Sequence, residues 1–258
     1  MKIQYASDLH LEFAENRNYI DNCGIEPIGD VLVLAGDVSY LGDQHIMKQR
    51  FWDWCADHFR ETFIVPGNHE FYGGYDIAQT MDDFEYEYRD NVTYLNNKSV
   101  VLDDTEMFFT TLWTKISPLH LWTIQRGMND FRYGRLDGAR LCANDIDELH
   151  RRCMDWLSGA LKASTVEHKV VVTHHCPTLR GEFNSYPGGA LNSAFQVDLD
   201  AFIEESGVDY WVYGHTHYSG GPGTKIGNTT LLCNQMGYVF QNEHLAFDGK
   251  ACFELNDF

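Results

Sequence analysis

Residues 31–37 read Val31-Leu32-Val33-Leu34-Ala35-Gly36-Asp37, an unbroken apolar run stopped by a glycine and a carboxylate. Such a run predicts a strand buried on both faces, as in the middle of a parallel sheet. The same arrangement recurs four times along the chain. KIQYAS over 2–7 leads to Asp8 and His10, and TFIV over 62–65 is closed by Pro66-Gly67 and leads to Asn68-His69-Glu70. KVVVT over 169–173 leads to His174-His175, and DYWVY over 209–213 to Gly214-His215-Thr216-His217. Five predicted strands thus each finish in residues of metal-binding type, and the carboxyl ends of strands are where open α/β sheets bind ligands.

Outward from these runs, Ile46, Phe51, Trp54, Cys55 and Phe59 stand near helical spacing and predict a helix over 44–60. Further helices are expected over 75–89, over 145–162 with Asn144 as N-cap, and near 196–206. Short strands are expected at 92–95, 99–102, 106–112, 224–226, 229–233 and 250–255. Residues 113–141, rich in Trp, Gly and Arg, read as a long loop, a kind of segment that often serves function. A second loop, rich in Gly, Ser and Pro, spans 176–195. Alternating strands and helices early, with more strand pairs later, predict a layered α/β fold, and no break in composition divides residues 1–258 into more than one domain.

The 19 Lys and Arg against 38 Asp and Glu give a formal net charge of −19, which disfavours an extended nucleic-acid-binding face. No apolar run approaches the ~20 residues of a membrane span, and the N-terminus reaches Asp8 too soon for a signal-peptide core. The 7 cysteines are odd in number, scattered, and form no CxxC. That argues against a disulfide framework or a thiolate zinc site and predicts a cytoplasmic protein.

In extended backbone, residues i and i+2 point to one side, which pairs Asp8 with His10 and His215 with His217. Glycines before Asp37, Asn68 and His215 allow the backbone to approach an ion closely. Carboxylate, imidazole and amide donors without thiolate suit five- or six-coordinate Mn, Fe, Co, Ni or Zn. Two divalent ions would leave one positive charge over Asp8, Asp37 and a hydroxide, enough to draw a phosphate into an acidic protein.

The series Asp8-Leu9-His10, Gly36-Asp37, Gly67-Asn68-His69-Glu70, Thr173-His174 and Gly214-His215-Thr216-His217, in that order from residue 8 to residue 217, resembles the calcineurin-like metallophosphoesterase superfamily. The resemblance implies a four-layer α/β/β/α sandwich of two mixed β-sheets flanked by helices. It implies two divalent transition-metal ions, manganese first, with iron, zinc, cobalt or nickel as alternatives. Carried over, one ion takes Asp8, His10 and His217, the other takes Asn68, His174 and His215, and Asp37 bridges them. A bridging hydroxide would attack phosphorus, and His69 would protonate or stabilise the leaving oxygen.

The chain departs from the phosphoprotein phosphatase branch, which carries GDxxDRG after the second strand. Tyr40 stands where that branch has the Asp that orients the histidine, and Leu41 where it has a phosphate-binding Arg. A protein-phosphatase role is therefore not expected, and the group that orients His69 is left unassigned. Met128-Asn129-Asp130-Phe131 resembles a segment of small bacterial and phage-type members, which makes Arg126, Asn129 and Arg132 candidates for binding substrate. Glu70 and His175 read as structural. No GxxxxGK[ST], GxGxxG or GxSxG competes with this reading. The expected function is dimetal-dependent hydrolysis of a small phosphorylated substrate, with a lean to phosphodiesters or nucleotide-like compounds. A phosphomonoesterase is one alternative. A non-catalytic metal-binding scaffold is another, although scaffold branches lose ligands or the histidine, and here every position is filled.

Overall fold

Alternation along the strands determines how the sheets face each other. In the computed structural model, which describes residues 1–180, 189–219 and 223–255, Val31 and Val33 enter one apolar cluster while Leu32 and Leu34 enter another. Successive strand side chains leave opposite faces, so a wholly apolar strand must lie between two layers.

The first part of the chain forms β1 (Lys2–Ala6), α1 (Ala14–Tyr19), β2 (Val31–Leu34), α2 (Arg50–His58), β3 (Glu61–Ile64), β4 (Phe84–Arg89), β5 (Val92–Asn96), β6 (Lys98–Leu102) and β7 (Thr105–Thr110). Then follow α3 (Leu121–Gly127), α4 (Asp130–Tyr133), a small hairpin of β8 (Arg135–Leu136) and β9 (Ala139–Arg140), and α5 (Ala143–Ala163). The rest comprises β10 (His168–Thr173), α6 (Asp200–Glu205), β11 (Tyr210–Tyr213), β12 (Thr224–Ile226), β13 (Thr229–Cys233) and β14 (Cys252–Glu254).

Two six-stranded sheets result, ordered β14-β1-β2-β3-β5-β4 and β12-β13-β11-β10-β7-β6. In each, the inner strands run parallel and both edge strands antiparallel. Val31, Val33, Phe63, Phe109, Val170, Val172 and Val212 fill the space between the sheets. Phe51, Trp52 and Cys55 of α2 cover Leu32, Leu34, Ile64 and Tyr94 on one outer face. Leu157 and Leu161 of α5, with Ile203 of α6, cover Phe108, Val171 and Trp211 on the other. This is the expected α/β/β/α sandwich. The mixed sheets bring the carboxyl ends of β1, β2 and β3 to the same rim as those of β10 and β11.

Three local expectations are corrected. Residues 75–89 are not helical: a 3-10 turn covers Ile77–Thr80, and Phe84–Arg89 is β4, antiparallel to β5. Phe84 and Tyr88 are buried while Glu85 and Glu87 are exposed, so a period of two decides the element. The helix expected over 44–60 begins only at Arg50. Before it, the Asp43 carboxylate accepts the N–H groups of His45 and Ile46 at 2.7 and 3.1 Å, holding a turn that competes with helix. Helix α5 starts at Ala143, so Asn144 lies inside its first turn, and the Asp145 carboxylate accepts the N–H of the preceding Cys142 at 2.8 Å.

The segment 113–141 is less irregular than its composition suggests. It holds α3, α4 and the β8–β9 hairpin, and its Trp113, Ile116, Ile124, Phe131 and Leu141 form a cluster with Phe71 and the first half of α5. Residues 181–188 of the Gly/Ser/Pro-rich loop lie outside the described residues. Among the described residues, no helix is long and apolar enough to cross a membrane.

If Trp52 joins α2 to the first sheet, Trp52→Ala should lower unfolding free energy by about 3–5 kcal/mol. Trp122→Ala, at a side chain 68% exposed on α3, should change it by no more than about 0.5 kcal/mol. Urea denaturation followed by circular dichroism distinguishes the two, and equal losses would contradict this layering.

Candidate metal centre

The donors sit just beyond strand ends: Asp8 and His10 after β1, Asp37 after β2, Asn68 after β3, His174 after β10, His215 and His217 after β11. Five of them adopt left-handed backbone, with φ of 55° at Asp8, 48° at His10, 52° at Asp37, 75° at His215 and 51° at His217. This corrects the basis of the i, i+2 pairing. The pairs do not lie on extended chain; tight turns send both members inward. Such conformations cost about 1–3 kcal/mol each where a side chain is present and persist only when surroundings fix them.

Several hydrogen bonds do so. Asp8 N–H donates to Gly36 O and His10 N–H to Asp37 O, both at 2.9 Å. His215 N–H donates to both carboxylate oxygens of Asp8 at 3.1 Å. The buried Glu70 carboxylate accepts the N–H groups of Asp37, Val38 and Gly67 at 3.0, 2.8 and 2.8 Å, fastening the turn after β2 to the turn after β3. Burial, reinforced by the charge of Asp37, pushes Glu70 up to about 8.

The donors form two groups sharing Asp37. Ligand atoms of Asp8, His10, Asp37 and His217 lie within 4.8 Å of one another, as do those of Asp37, His174 and His215. In the first group, His10 Nε2 is 2.9 Å from His217 Nε2 and 3.9 Å from Asp37 Oδ2. In the second, His174 Nε2 is 3.3 Å from Asp37 Oδ1, 3.2 Å from His215 Nδ1 and 3.0 Å from Asn68 Oδ1. The two oxygens of Asp37 therefore face different groups.

Outer hydrogen bonds show whether these atoms suit a cation. His10 Nδ1 is 3.2 Å from Glu12 Oε1 and His217 Nδ1 is 2.7 Å from Glu243 Oε2. His174 Nδ1 is 2.9 Å from Ala35 O and His215 Nε2 is 3.2 Å from Ala194 O. Each outer partner is an acceptor, so each outer nitrogen carries the proton and the inner nitrogen presents a lone pair. Asn68 donates its amide N–H to Tyr72 Oη at 2.9 Å, which turns its carbonyl oxygen inward as well. Lone pairs facing lone pairs at hydrogen-bond distance repel unless positive charge lies among them. The same field acts on His174: burial lowers its proton affinity, but Asp37 more than offsets this and raises it to about 9, so its inner nitrogen is a place that favours positive charge, a proton or a cation in the proton's stead. The residues fit divalent cations.

His69 lies against the first group, its ring centroid 4.4 Å from that of His10. Its Nδ1 is 2.8 Å from Glu12 Oε1 and its Nε2 is 3.2 Å from the Tyr238 hydroxyl. Burial lowers its proton affinity, but the charges of Asp37 and Glu12 outweigh burial and raise it to about 9. Burial pushes Glu12 up, yet the hydrogen bonds from His10 and His69 prevail and hold it at about 2.

Glu12, Tyr72, Asp130, Tyr238 and Glu243 were not among the residues singled out from sequence. Glu12 alone had a signal, as the next member of the series 8, 10, 12. Of the Met128–Phe131 segment, it is buried Asp130 that reaches the site, accepting from the Tyr72 hydroxyl at 3.2 Å. Asn129, Arg126 and Arg132 are exposed. Arg132 donates to Asn129 Oδ1 at 3.4 Å, and the Arg126 guanidinium lies 4.5 Å over the Trp122 ring. These contacts tie the three residues to α3 and α4, not to the donor groups. His175 is buried, with Nδ1 3.1 Å from Thr111 O and its ring 5.2 Å from that of Trp113.

A family model described as calcineurin-like phosphoesterase matches residues 1–219. An uncharacterized protein of Acanthamoeba polyphaga mimivirus is 29% identical over 268 residues, covering 94% of this chain and 93% of its own. The crystal structure of phosphopantetheinyl hydrolase from Mycobacterium tuberculosis superposes with a TM-score of 0.65 at 17% identity, over 92% of this chain and 89% of that one. This last likeness is one of fold.

A Cβ at Gly67 would collide with Asp37 Oδ1 and the His174 ring, whereas one at Gly159 in α5 meets nothing within 4 Å. Gly67→Ala should weaken manganese binding about tenfold or more, and Gly159→Ala should leave it unchanged. Isothermal titration of both variants checks this, and wild-type affinity in Gly67→Ala would contradict the close approach of the two turns.

Proposed function

Because the chain belongs to the calcineurin-like phosphoesterase family, we propose that it hydrolyses phosphate esters at the rim occupied by Asp37. In this reading Asp8, His10 and His217 hold one divalent cation, Asn68, His174 and His215 hold a second, and Asp37 serves both. The observation that carries it is the set of inward lone pairs, each fixed by a hydrogen bond on its outer side. Two divalent cations, manganese first and iron, zinc, cobalt or nickel after it, would supply activation of an attacking water and neutralisation of charge on the phosphoryl oxygens.

The chain's own groups do the rest. Asp8 and Asp37 bring negative charge to a buried position, and Asp37, which faces both donor groups, would serve both cations. Glu12 and Glu243 hold His10 and His217 in the tautomer that ligates. His69 stands beside the first donor group with Nε2 free of carboxylate contacts, placed to give a proton to the leaving oxygen.

The substrate in this reading is a small phosphate ester. Leu41 is buried in the core under the first sheet, so that position offers no cation to a dianionic phosphoryl group. This favours a singly charged diester or a small nucleotide-like compound over a monoester. The solved relative of similar fold is named for hydrolysis of a phosphopantetheinyl group, in keeping with a hydrolase. Filled ligand positions and His69 weigh against a scaffold that binds metal without turnover. The buried thiols of Cys55, Cys153 and Cys176 suit a reducing, cytoplasmic setting.

Treatment with a chelator should abolish hydrolysis of p-nitrophenyl mono- and diesters, and added manganese should restore it. Asp37→Asn should lower kcat about 1,000-fold with partial loss of metal. His69→Ala should lower kcat on a poor leaving group about 100-fold or more with metal content intact by elemental analysis. Absence of turnover of either ester with any of the five metals would sink the proposal.

A further inference from the structure

We propose that Glu12 is the positioning residue for His69, supplying from the first strand turn the carboxylate that the phosphoprotein phosphatase branch places after the second. This rests on the reading of the site as a phosphoesterase. Position 40, where that branch has aspartate, is a tyrosine. Glu12 Oε1 instead lies 2.8 Å from His69 Nδ1, its side chain only 4% exposed. A carboxylate accepts and does not donate, so Nδ1 carries a proton and the ring is held with Nε2 turned toward the Tyr238 hydroxyl.

The same Oε1 also accepts from His10 Nδ1 at 3.2 Å. One oxygen thus sets the orientation of a donor imidazole and of His69 together, and so fixes how far His69 stands from the first donor group. The second oxygen, Oε2, is buried and has no hydrogen-bond partner. Glu70, which gathers backbone N–H groups from two turns, uses both of its oxygens. Glu12 spends its hydrogen bonding on two imidazoles and none on backbone.

In the step this supports, the bond between phosphorus and the leaving oxygen breaks and that oxygen takes the proton from His69 Nε2. His69 is left neutral with its proton on Nδ1 still donated to Glu12, while the attacking water forms the new bond to phosphorus and releases the proton that recharges the ring. The need for this help depends on the leaving group: an alkoxide requires the proton and a nitrophenolate does not.

The test compares Glu12→Ala, Glu12→Gln and His69→Ala on aryl phosphodiesters from nitrophenyl to methoxyphenyl leaving groups, with metal content measured for each. At metal concentrations that restore wild-type metal content, Glu12→Ala should lower kcat about 30-fold more on methoxyphenyl esters than on nitrophenyl esters. Glu12→Gln, which keeps an acceptor oxygen, should recover part of the loss, and Glu12→Ala/His69→Ala should be no slower than His69→Ala. An equal loss on all leaving groups, additive effects in the double variant, or activity that tracks lost metal would overturn the assignment. A second readout needs no turnover. In zinc-loaded wild-type protein, the imidazole nitrogen spectrum should show His69 Nδ1 protonated and slowly exchanging, and Glu12→Ala should remove that protection while His174 stays unchanged. Identical His69 signals in both proteins would refute the contact. If wild-type protein hydrolyses none of the esters, the phosphoesterase reading fails while the spectra still decide what Glu12 does.

Discussion

The carboxylate of Asp37 and the lone pairs around it form an arrangement that calls for positive charge among them. Inner nitrogens of His10, His217, His174 and His215 and the carbonyl oxygen of Asn68 all point at one another or at Asp37. Bringing like dipoles and a charge into a dry rim is costly, and hydrogen bonds on the outer sides of the rings do nothing to relieve it. What holds the rim together without a cation is the frame behind it: parallel strands ending at one level, and the Glu70 carboxylate drawing two turns onto three backbone N–H groups. The four-layer core therefore serves the site directly, because it makes the strand ends converge before any ion contributes.

The left-handed residues follow from the same constraint. A strand that simply continued past Asp8 or His215 would send alternate side chains to opposite faces and would pass the rim by. Reversal within one or two residues turns both members toward the rim, Asp8 and His10 into one donor group, His215 and His217 into the two groups that share Asp37. Glycine would adopt these turns at little cost but has no ligand to offer, so aspartate and histidine take φ values near 50° at the site. Glycine is kept where a side chain would intrude, as at Gly67 against Asp37 and His174.

Much of this was legible in the sequence because it is local. Apolar runs ended by glycine located the strands of both sheets, and the residues after them located the donors. Legibility failed where two periods compete or where partners are remote. Phe84-Glu85-Tyr86-Glu87-Tyr88-Arg89 alternates with a period of two but has a composition that a helix also tolerates, and pairing with β5 settles it as a strand. Gln49 ends a turn set by the Asp43 side chain, so the helical spacing upstream of Arg50 was coincidence. Tyr238 and Glu243 carry no motif and meet His69 and His217 only through the path of the last third of the chain. Glu12 was readable in principle, since it extends the alternation of Asp8 and His10, but the turn that brings it to His69 was not.

The segment between β7 and α5 acquires its meaning from one ambiguous side chain. An asparagine at a metal rim can present either its oxygen or its nitrogen, and only the oxygen ligates. Asn68 lies 2.9 Å from the Tyr72 hydroxyl, a group able to donate or accept. Buried Asp130 removes that freedom by accepting the Tyr72 proton at 3.2 Å, so the phenol oxygen is left to accept from the Asn68 amide nitrogen. Asp130 keeps its place because Phe131 beside it is fixed in the cluster with Trp113, Ile124 and the first half of α5. A segment whose Trp, Arg and Gly content reads as a long loop thus acts first as a brace, transmitting its packing through two hydrogen bonds to the choice of which atom of Asn68 faces His174.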